Sequence, residues 1–198
     1  MTDRTIQFWF EFGSSYSYLA AWRIERVAAE AVRAVEWRPF LLGPIFRAQG
    51  WNDSPFNIYP VKGRYMWRDM ERLCERHGLP LRRPSVFPRN GLLAARVACR
   101  ASAEPWCPDF VRAVYRANFG DDREISDPAV IESILDALGQ PGRRLIDAAR
   151  TDEAKARLRE QSEEAVRLGI FGAPSFIVDG ELFWGNDRLE DAIAWRSR

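Results

Sequence analysis

The stretch Ile6-Gln7-Phe8-Trp9-Phe10-Glu11-Phe12-Gly13-Ser14-Ser15-Tyr16-Ser17-Tyr18-Leu19 changes its hydrophobic period halfway along. Ile6, Phe8, Phe10 and Phe12 alternate with Gln7, Trp9 and Glu11, the period of two that belongs to a strand with one face in the core. Gly13-Ser14-Ser15 interrupts the alternation. From Tyr16 to about Ala31 the pattern is helical, with Leu19, Trp22 and Val27 inward and Arg23, Glu25, Arg26 and Glu30 outward. Serine is a favoured residue at such a boundary, because its side-chain oxygen accepts one of the N–H groups that the first helical turn leaves free. Val35 to Phe40 alternates again, and a strand separated from the first by a whole helix predicts a parallel β-α-β crossover.

Beyond this unit, Gly43 to Gly63 reads as a loop rich in Gly, Pro, Asn and Asp, and helices follow. Met66, Met70, Leu73 and His77 share a helical stripe ended by Gly78 and Pro80. Ile131, Ile134, Leu135 and Leu138 share another between Asp127-Pro128 and Gly139. Segments 91–103, 108–119, 143–149 and 152–168 also read as helices. Strand character returns at Ser175 to Val178 and at Glu181 to Trp184. The Asp179-Gly180 pair between them is a strong hairpin signal, since both turn positions take positive φ. A last helix starts at Asp187, with Asp187 as its cap and Glu190 completing a capping box. The order is β-α-β, a helical block, then β-β-α.

The chain has 198 residues, 46% hydrophobic and 29% charged, with 29 basic against 28 acidic side chains. That suffices for a core of its own, and no block of like charge is present to track a phosphate backbone or an anionic membrane. Neither nucleic acid nor membrane is an expected partner. No stretch approaches the roughly 20 consecutive apolar residues of a membrane span. The start, Met1 to Gln7, lacks the pattern of an export signal, so a cytoplasmic location is expected. Cys74, Cys99 and Cys107 include no C-x-x-C pair, and His77 is the single histidine. Zinc fingers, H-E-x-x-H proteases and self-contained redox motifs are therefore excluded, and no metal site is expected. The cysteines read as small core residues, Cys107 as the most exposed of them. If a chain this poor in catalytic side chains is an enzyme, a bound cofactor or cosubstrate is expected to supply the reactive group.

Two halves, β-α-β and β-β-α, split by helices and with a proline just before the third strand, resemble the α/β thioredoxin fold with an all-helical insertion, the DsbA-like arrangement. The expected division is a thioredoxin-like unit of residues 1–42 and 169–198 around an insertion of 43–168. Phe10 to Leu19 resembles the opening motif of 2-hydroxychromene-2-carboxylate isomerases and kappa-class glutathione transferases. The likeness continues through Pro60-Val61-Lys62-Gly63-Arg64-Tyr65-Met66, Phe171-Gly172-Ala173-Pro174-Ser175 and Trp184-Gly185-Asn186-Asp187-Arg188, in family order. One departure is Ser15, which stands where the family has proline; this removes a rigid first-turn residue but no chemical group.

Local chemistry gives Ser14 two readings. It is a helix cap, or it also places a hydroxyl where a helix N-terminus stabilises an anion such as a thiolate. The resemblance favours the second, with the sulfur supplied by glutathione because the chain has serine where redox relatives have cysteine. It further implies a cis Ala173-Pro174 bond, with Ala173 backbone groups pairing with the cysteinyl part of glutathione. Asn186 and Asp187 would hold the γ-glutamyl end, and Asn52, or its rival Asn57, would make a loop contact. Lys62, one of only two lysines, would meet a carboxylate or else lie free at the surface. Tyr65 reads more simply as helix packing than as pocket lining, and His77 as a helix C-terminal residue.

The activity implied is glutathione-dependent interconversion of 2-hydroxychromene-2-carboxylate, or a related aromatic carboxylate, with trans-o-hydroxybenzylidenepyruvate, in a homodimer serving aromatic catabolism. A kappa-type transferase is the near alternative. A disulfide oxidoreductase or a silent glutathione-binding module of the same fold is the more distant one.

Overall fold

The computed structural model describes residues 5–195; Met1 to Arg4 and residues 196–198, at the outer ends of the expected 1–42 and 169–198 segments, lie outside it. The strands are β1 (Thr5–Phe10), β2 (Ala34–Pro39), β3 (Ser175–Val178) and β4 (Glu181–Trp184). They form one sheet in the order β2-β1-β3-β4, with β1 parallel to β2 and antiparallel to β3, and β3 antiparallel to β4. The first helix, α1 (Ser15–Glu30), makes the crossover. Then come α2 (Leu42–Ala48), α3 (Pro55–Ile58), α4 (Pro60–His77), α5 (Leu92–Arg100), α6 (Cys107–Tyr115), α7 (Pro128–Ala137), α8 (Gly142–Ala149), α9 (Asp152–Arg167) and α10 (Leu189–Ala194). This is the mixed four-stranded α/β thioredoxin architecture of the DsbA-like type. Asp179 (φ 51°) and Gly180 (φ 82°) make the hairpin turn with the positive φ values that the sequence predicts.

Four expectations are corrected. Trp9, assigned to the polar side of β1, is fully buried with Phe40, Ile45 and Ile177 in a second, smaller core, while Phe8, Phe10 and Phe176 join the main one. The sheet is covered on both faces, so alternation in β1 separates two cores rather than core from water. The 43–63 loop is largely helical: Pro55 and Pro60 open α3 and α4 at a position where the missing N–H costs nothing, so prolines read as breakers act as starters. On α1, Trp22 is partly exposed while Arg23 is tucked against the α10 side, because α1 packs against α10 as well as the main core. Cys107 is completely buried, its thiol aimed at the Ala98 carbonyl.

The helical block also buttresses the β1–α1 loop. A π-helical turn, Arg116–Gly120, continues α6 and puts the fully buried Asn118 beneath that loop. Its Nδ2 donates to the Phe12 carbonyl at 3.0 Å, and its Oδ1 accepts from Arg89 at 3.2 Å. Arg89 is itself buried and paired with Asp122. Asp122 is held down near 2 by the Ser85 N–H and by Arg89.

Candidate active site

The end of β1 delivers the chain to Gly13-Ser14, and Ser14 caps α1: its Oγ accepts the Ser17 N–H at 3.2 Å. The same oxygen donates its proton to the Ala173 carbonyl at 2.9 Å, so the helix start and the segment before β3 meet at one hydroxyl. Ser15, in the family's proline position, is buried and donates to Met66 Sδ of α4 at 3.2 Å. The Ala173-Pro174 bond is cis, as the resemblance implies. The Pro174 carbonyl accepts the Gly185 N–H at 3.0 Å, which ties the end of β4 to the same place. A Cβ on Gly172 would lie 2.3 Å from Trp184 Nε1, so a side chain there would displace the indole from its present seat.

These segments line one cleft of about 1480 Å³, roofed by α2, α3 and the first turns of α4. Of the residues singled out in the sequence, Ser14, Asn52, Lys62, Ala173, Pro174, Asn186 and Asp187 all border it. Asn57 does not: its amide donates to the Asp53 carboxylate and to the Phe87 carbonyl, whereas Asn52 is free to face the cleft. Tyr65 is exposed on the cleft wall, not packed in the core, because it lies on the opposite side of α4 from Met66 and Met70. Lys62 has no anionic partner among the described residues and points toward the Phe56 ring, 5.9 Å from its centroid.

The turn after β4 departs from expectation. Asp187 does not cap the last helix; it sits in a short 3-10 turn, Asn186–Arg188, that precedes α10. Glu190, expected to complete a capping box, pairs with Arg23 instead. Arg23 also donates to Asn186 Oδ1 at 2.7 Å and to its carbonyl, which fixes the Asn186 amide with Nδ2 unpartnered among the described residues. The Asp187 carboxylate is exposed and touches only Arg188. Free of capping work, it is available to a cation.

Sequence reading missed several wall residues. Arg47 and Trp51 come from the stretch taken as a loop, and the Tyr16–Asp69 hydrogen bond of 2.9 Å joins α1 to α4 across the cleft floor. Their signal was the aromatic and basic residues between Gly43 and Gly63, which have no core of their own to fill. Cysteine is absent from the wall: Cys74, Cys99 and Cys107 are buried in helices, and burial pushes the thiols up, Cys74 to about 11 and Cys107 to about 12. No thiolate of the chain's own is available near neutral pH. His77 lies at the C-terminal end of α4 outside the cleft, its pKa lowered by burial and by Arg23.

A family model for the DSBA-like thioredoxin domain matches residues 5–193. Among curated proteins, the chain is 30% identical to the 2-hydroxychromene-2-carboxylate isomerase of Sphingobium xenophagum, over 94% of this chain and 95% of that protein. It is 26% identical to human glutathione S-transferase kappa 1, over 94% and 88%. Among solved structures, a 2-hydroxychromene-2-carboxylate isomerase superposes with a TM-score of 0.83 at 26% identity, covering 93% of this chain and 90% of the other. The capped serine facing a cis-proline segment and the matches along almost the whole chain agree: this chain belongs to the DsbA-like thioredoxin domain family and, within it, to the family of 2-hydroxychromene-2-carboxylate isomerases.

Proposed function

We propose that the chain is a glutathione-dependent isomerase that interconverts 2-hydroxychromene-2-carboxylate, or a related aromatic carboxylate, with trans-o-hydroxybenzylidenepyruvate. The observation that carries this reading is the Ser14 hydroxyl at the start of α1, facing Ala173 across a cleft with no cysteine in its wall, an arrangement that suits a thiolate brought in by a ligand. The chemistry that glutathione supplies when bound is a thiolate that adds reversibly to a conjugated double bond, leaving a single bond free to rotate.

The residues present fit that tripeptide. At neutral pH it carries two carboxylates and one ammonium group; Lys62 and Arg47 offer unpaired cations among the described residues, and Asp187 offers an accessible carboxylate. Asn186 Nδ2 and Asn52 add polar groups that line the same cleft. At about 1480 Å³ the cleft exceeds the roughly 300–1,000 Å³ of a pocket for one small ligand, which leaves space for an aromatic substrate beside Trp51, Phe56 and Tyr65.

Ser14 Oγ has one proton, held by the Ala173 carbonyl. Were a peptide N–H of the bound tripeptide to donate to that carbonyl, the Ser14 hydroxyl would be free to donate its proton to the sulfur. The N–H groups of the first turn of α1 and its dipole favour the same negative charge. Asp187→Asn is expected to weaken glutathione binding about tenfold, the worth of one charge-assisted hydrogen bond, with thermal stability unchanged because Asp187 caps nothing. Calorimetry showing equal affinity removes Asp187 from the γ-glutamyl role.

The deciding experiment is calorimetric titration with glutathione, followed by ultraviolet monitoring of chromene carboxylate turnover. Isomerisation returns the tripeptide unchanged. Net consumption of glutathione would instead indicate the transferase chemistry for which the kappa relative is named. We further read the protein as a cytoplasmic homodimer of an aromatic-degradation route, to be checked by sedimentation of the purified protein and by cell fractionation.

A further inference from the structure

Glu11 lies just past the end of β1, on the strand face opposite the main core, and so borders the cleft rather than bulk solvent. Its backbone is clamped: the Glu11 carbonyl accepts the Ser14 N–H at 3.0 Å and the Tyr115 hydroxyl at 2.9 Å. Its Oε2 accepts the Gly13 N–H at 2.9 Å, while Oε1 has no partner among the described residues. The carboxyl is therefore held against the two residues that lead into α1, with one oxygen to spare.

The groups around it do not neutralise it. Arg89 packs its main-chain carbonyl against Gly13 but commits its guanidinium to Asn118, Asp122 and Glu124. Tyr115 gives its hydroxyl to the Glu11 carbonyl and not to the carboxylate. Of the other carboxylates of the cleft, Asp53 is engaged by Asn57 and the Ser54 N–H and Asp69 by Tyr16 and Arg72, while Asp187 stands exposed in the turn after β4 beside Arg188. Lys62 and Arg47 stand on the wall formed by α2 and α4. Burial accordingly raises the Glu11 carboxyl to about 7, against the smaller opposing pull of the Gly13 N–H.

A site that binds a thiol and stabilises its thiolate must place the proton somewhere. We propose that Glu11 is the proton acceptor for the thiol of the bound cosubstrate: the S–H bond breaks, its electron pair stays on sulfur, and the proton moves to Oε1 of Glu11. The proton returns to sulfur when the tripeptide leaves. The proposal rests on the reading of the cleft as a glutathione site. Two groups of like charge held close together share one proton more readily than both ionise, and transfer is most facile between groups of similar acidity, here a carboxyl at about 7 and a thiol near 8.5.

Glu11→Gln keeps an acceptor for the Gly13 N–H and removes the proton site. At pH 7 the rate at which thiolate absorbance appears on rapid mixing with glutathione is expected to fall about tenfold in this variant, while affinity for S-methylglutathione, which has no thiol proton, stays as in the parent. An undiminished rate of thiolate formation, or a parallel loss of S-methylglutathione affinity, would overturn the assignment. If neither chain binds either tripeptide, the cleft is not a glutathione site, and both readings fall together.

A second measurement needs no ligand. A carboxyl raised from 4.5 to about 7 in the folded state keeps a proton that the unfolded chain has released, so its contribution to stability is full below about 4.5 and declines as pH rises through about 7. The denaturant midpoint of the parent is therefore expected to fall relative to Glu11→Gln between pH 5 and 8. A constant difference across that range would mean that Glu11 ionises like an exposed glutamate, and the proposal would fail.

Discussion

Replacing Ser14 by alanine is expected to lower kcat/KM by about 10²–10³, the typical cost of removing one preorganised donor from a developing or resident anion. The variant loses the Oγ that accepts the Ser17 N–H and meets the Ala173 carbonyl. As a cap, that oxygen is worth about 1 kcal/mol, too little to unfold the chain, so the fold and the cleft persist. Binding of the tripeptide should change little, because its backbone and terminal contacts come from elsewhere in the cleft. The bound thiol, by contrast, should become less acidic by about two units. Thiolate absorbance followed against pH separates the two roles: a cap alone predicts a small loss of stability with an unmoved titration, and that result would deny Ser14 its part in the chemistry.

Gly63→Ala is expected to destabilise the protein by about 3 kcal/mol, although helix propensity alone predicts a gain of about 1 kcal/mol for that change inside a helix. The contact decides the sign. A Cβ on Gly63 would stand 2.1 Å from the main-chain oxygen of Phe56, and a backbone atom in α3 cannot swing aside as a flexible side chain would. Relief requires α3 to part from α4, which also displaces Phe56, Lys62 and Tyr65 along the cleft wall. For a chain of this length the loss corresponds to a drop in Tm of roughly 6–12 °C, with weaker tripeptide binding alongside. A variant as thermostable as the parent would show that α3 is not seated on α4 as described.

Glycine 63 illustrates why the roof of the cleft was illegible in the sequence. Between Gly43 and Gly63 every local signal is ambiguous, since a proline ends one helix or opens the next, and a glycine marks a turn or a close approach. Only the packing of α3 on α4 settles which. The β1–α1 boundary was the opposite case: the change from period two to helical period and the serine at the junction point the same way, and Ser14 caps α1 as expected. The last helix lies between. Asp187 and Glu190 satisfy a capping box by spacing, yet Arg23, arriving from α1, draws Glu190 and Asn186 to itself and moves the helix start to Leu189. A long-range ion pair outcompeted a local hydrogen bond, which spacing within one segment cannot foresee.

What the sequence settled by itself was whatever depends on neighbours in the chain: strand and helix periods, the Asp179-Gly180 turn, the lack of a C-x-x-C pair, and the serine where a thiol would stand. The residues that resemble a known family carried this further and named both sides of the cleft. Tertiary structure alone decided which groups share it and in what ionic state. Lys62 and Asp187 are accessible to a ligand, Cys107 is sealed in the core, and Glu11 is half-buried at the cleft edge without being given a cation. The physical reason is that solvation and charge pairing are set by atoms brought close from remote segments, and a carboxyl's proton affinity follows the water it has lost, not the residues beside it in the chain.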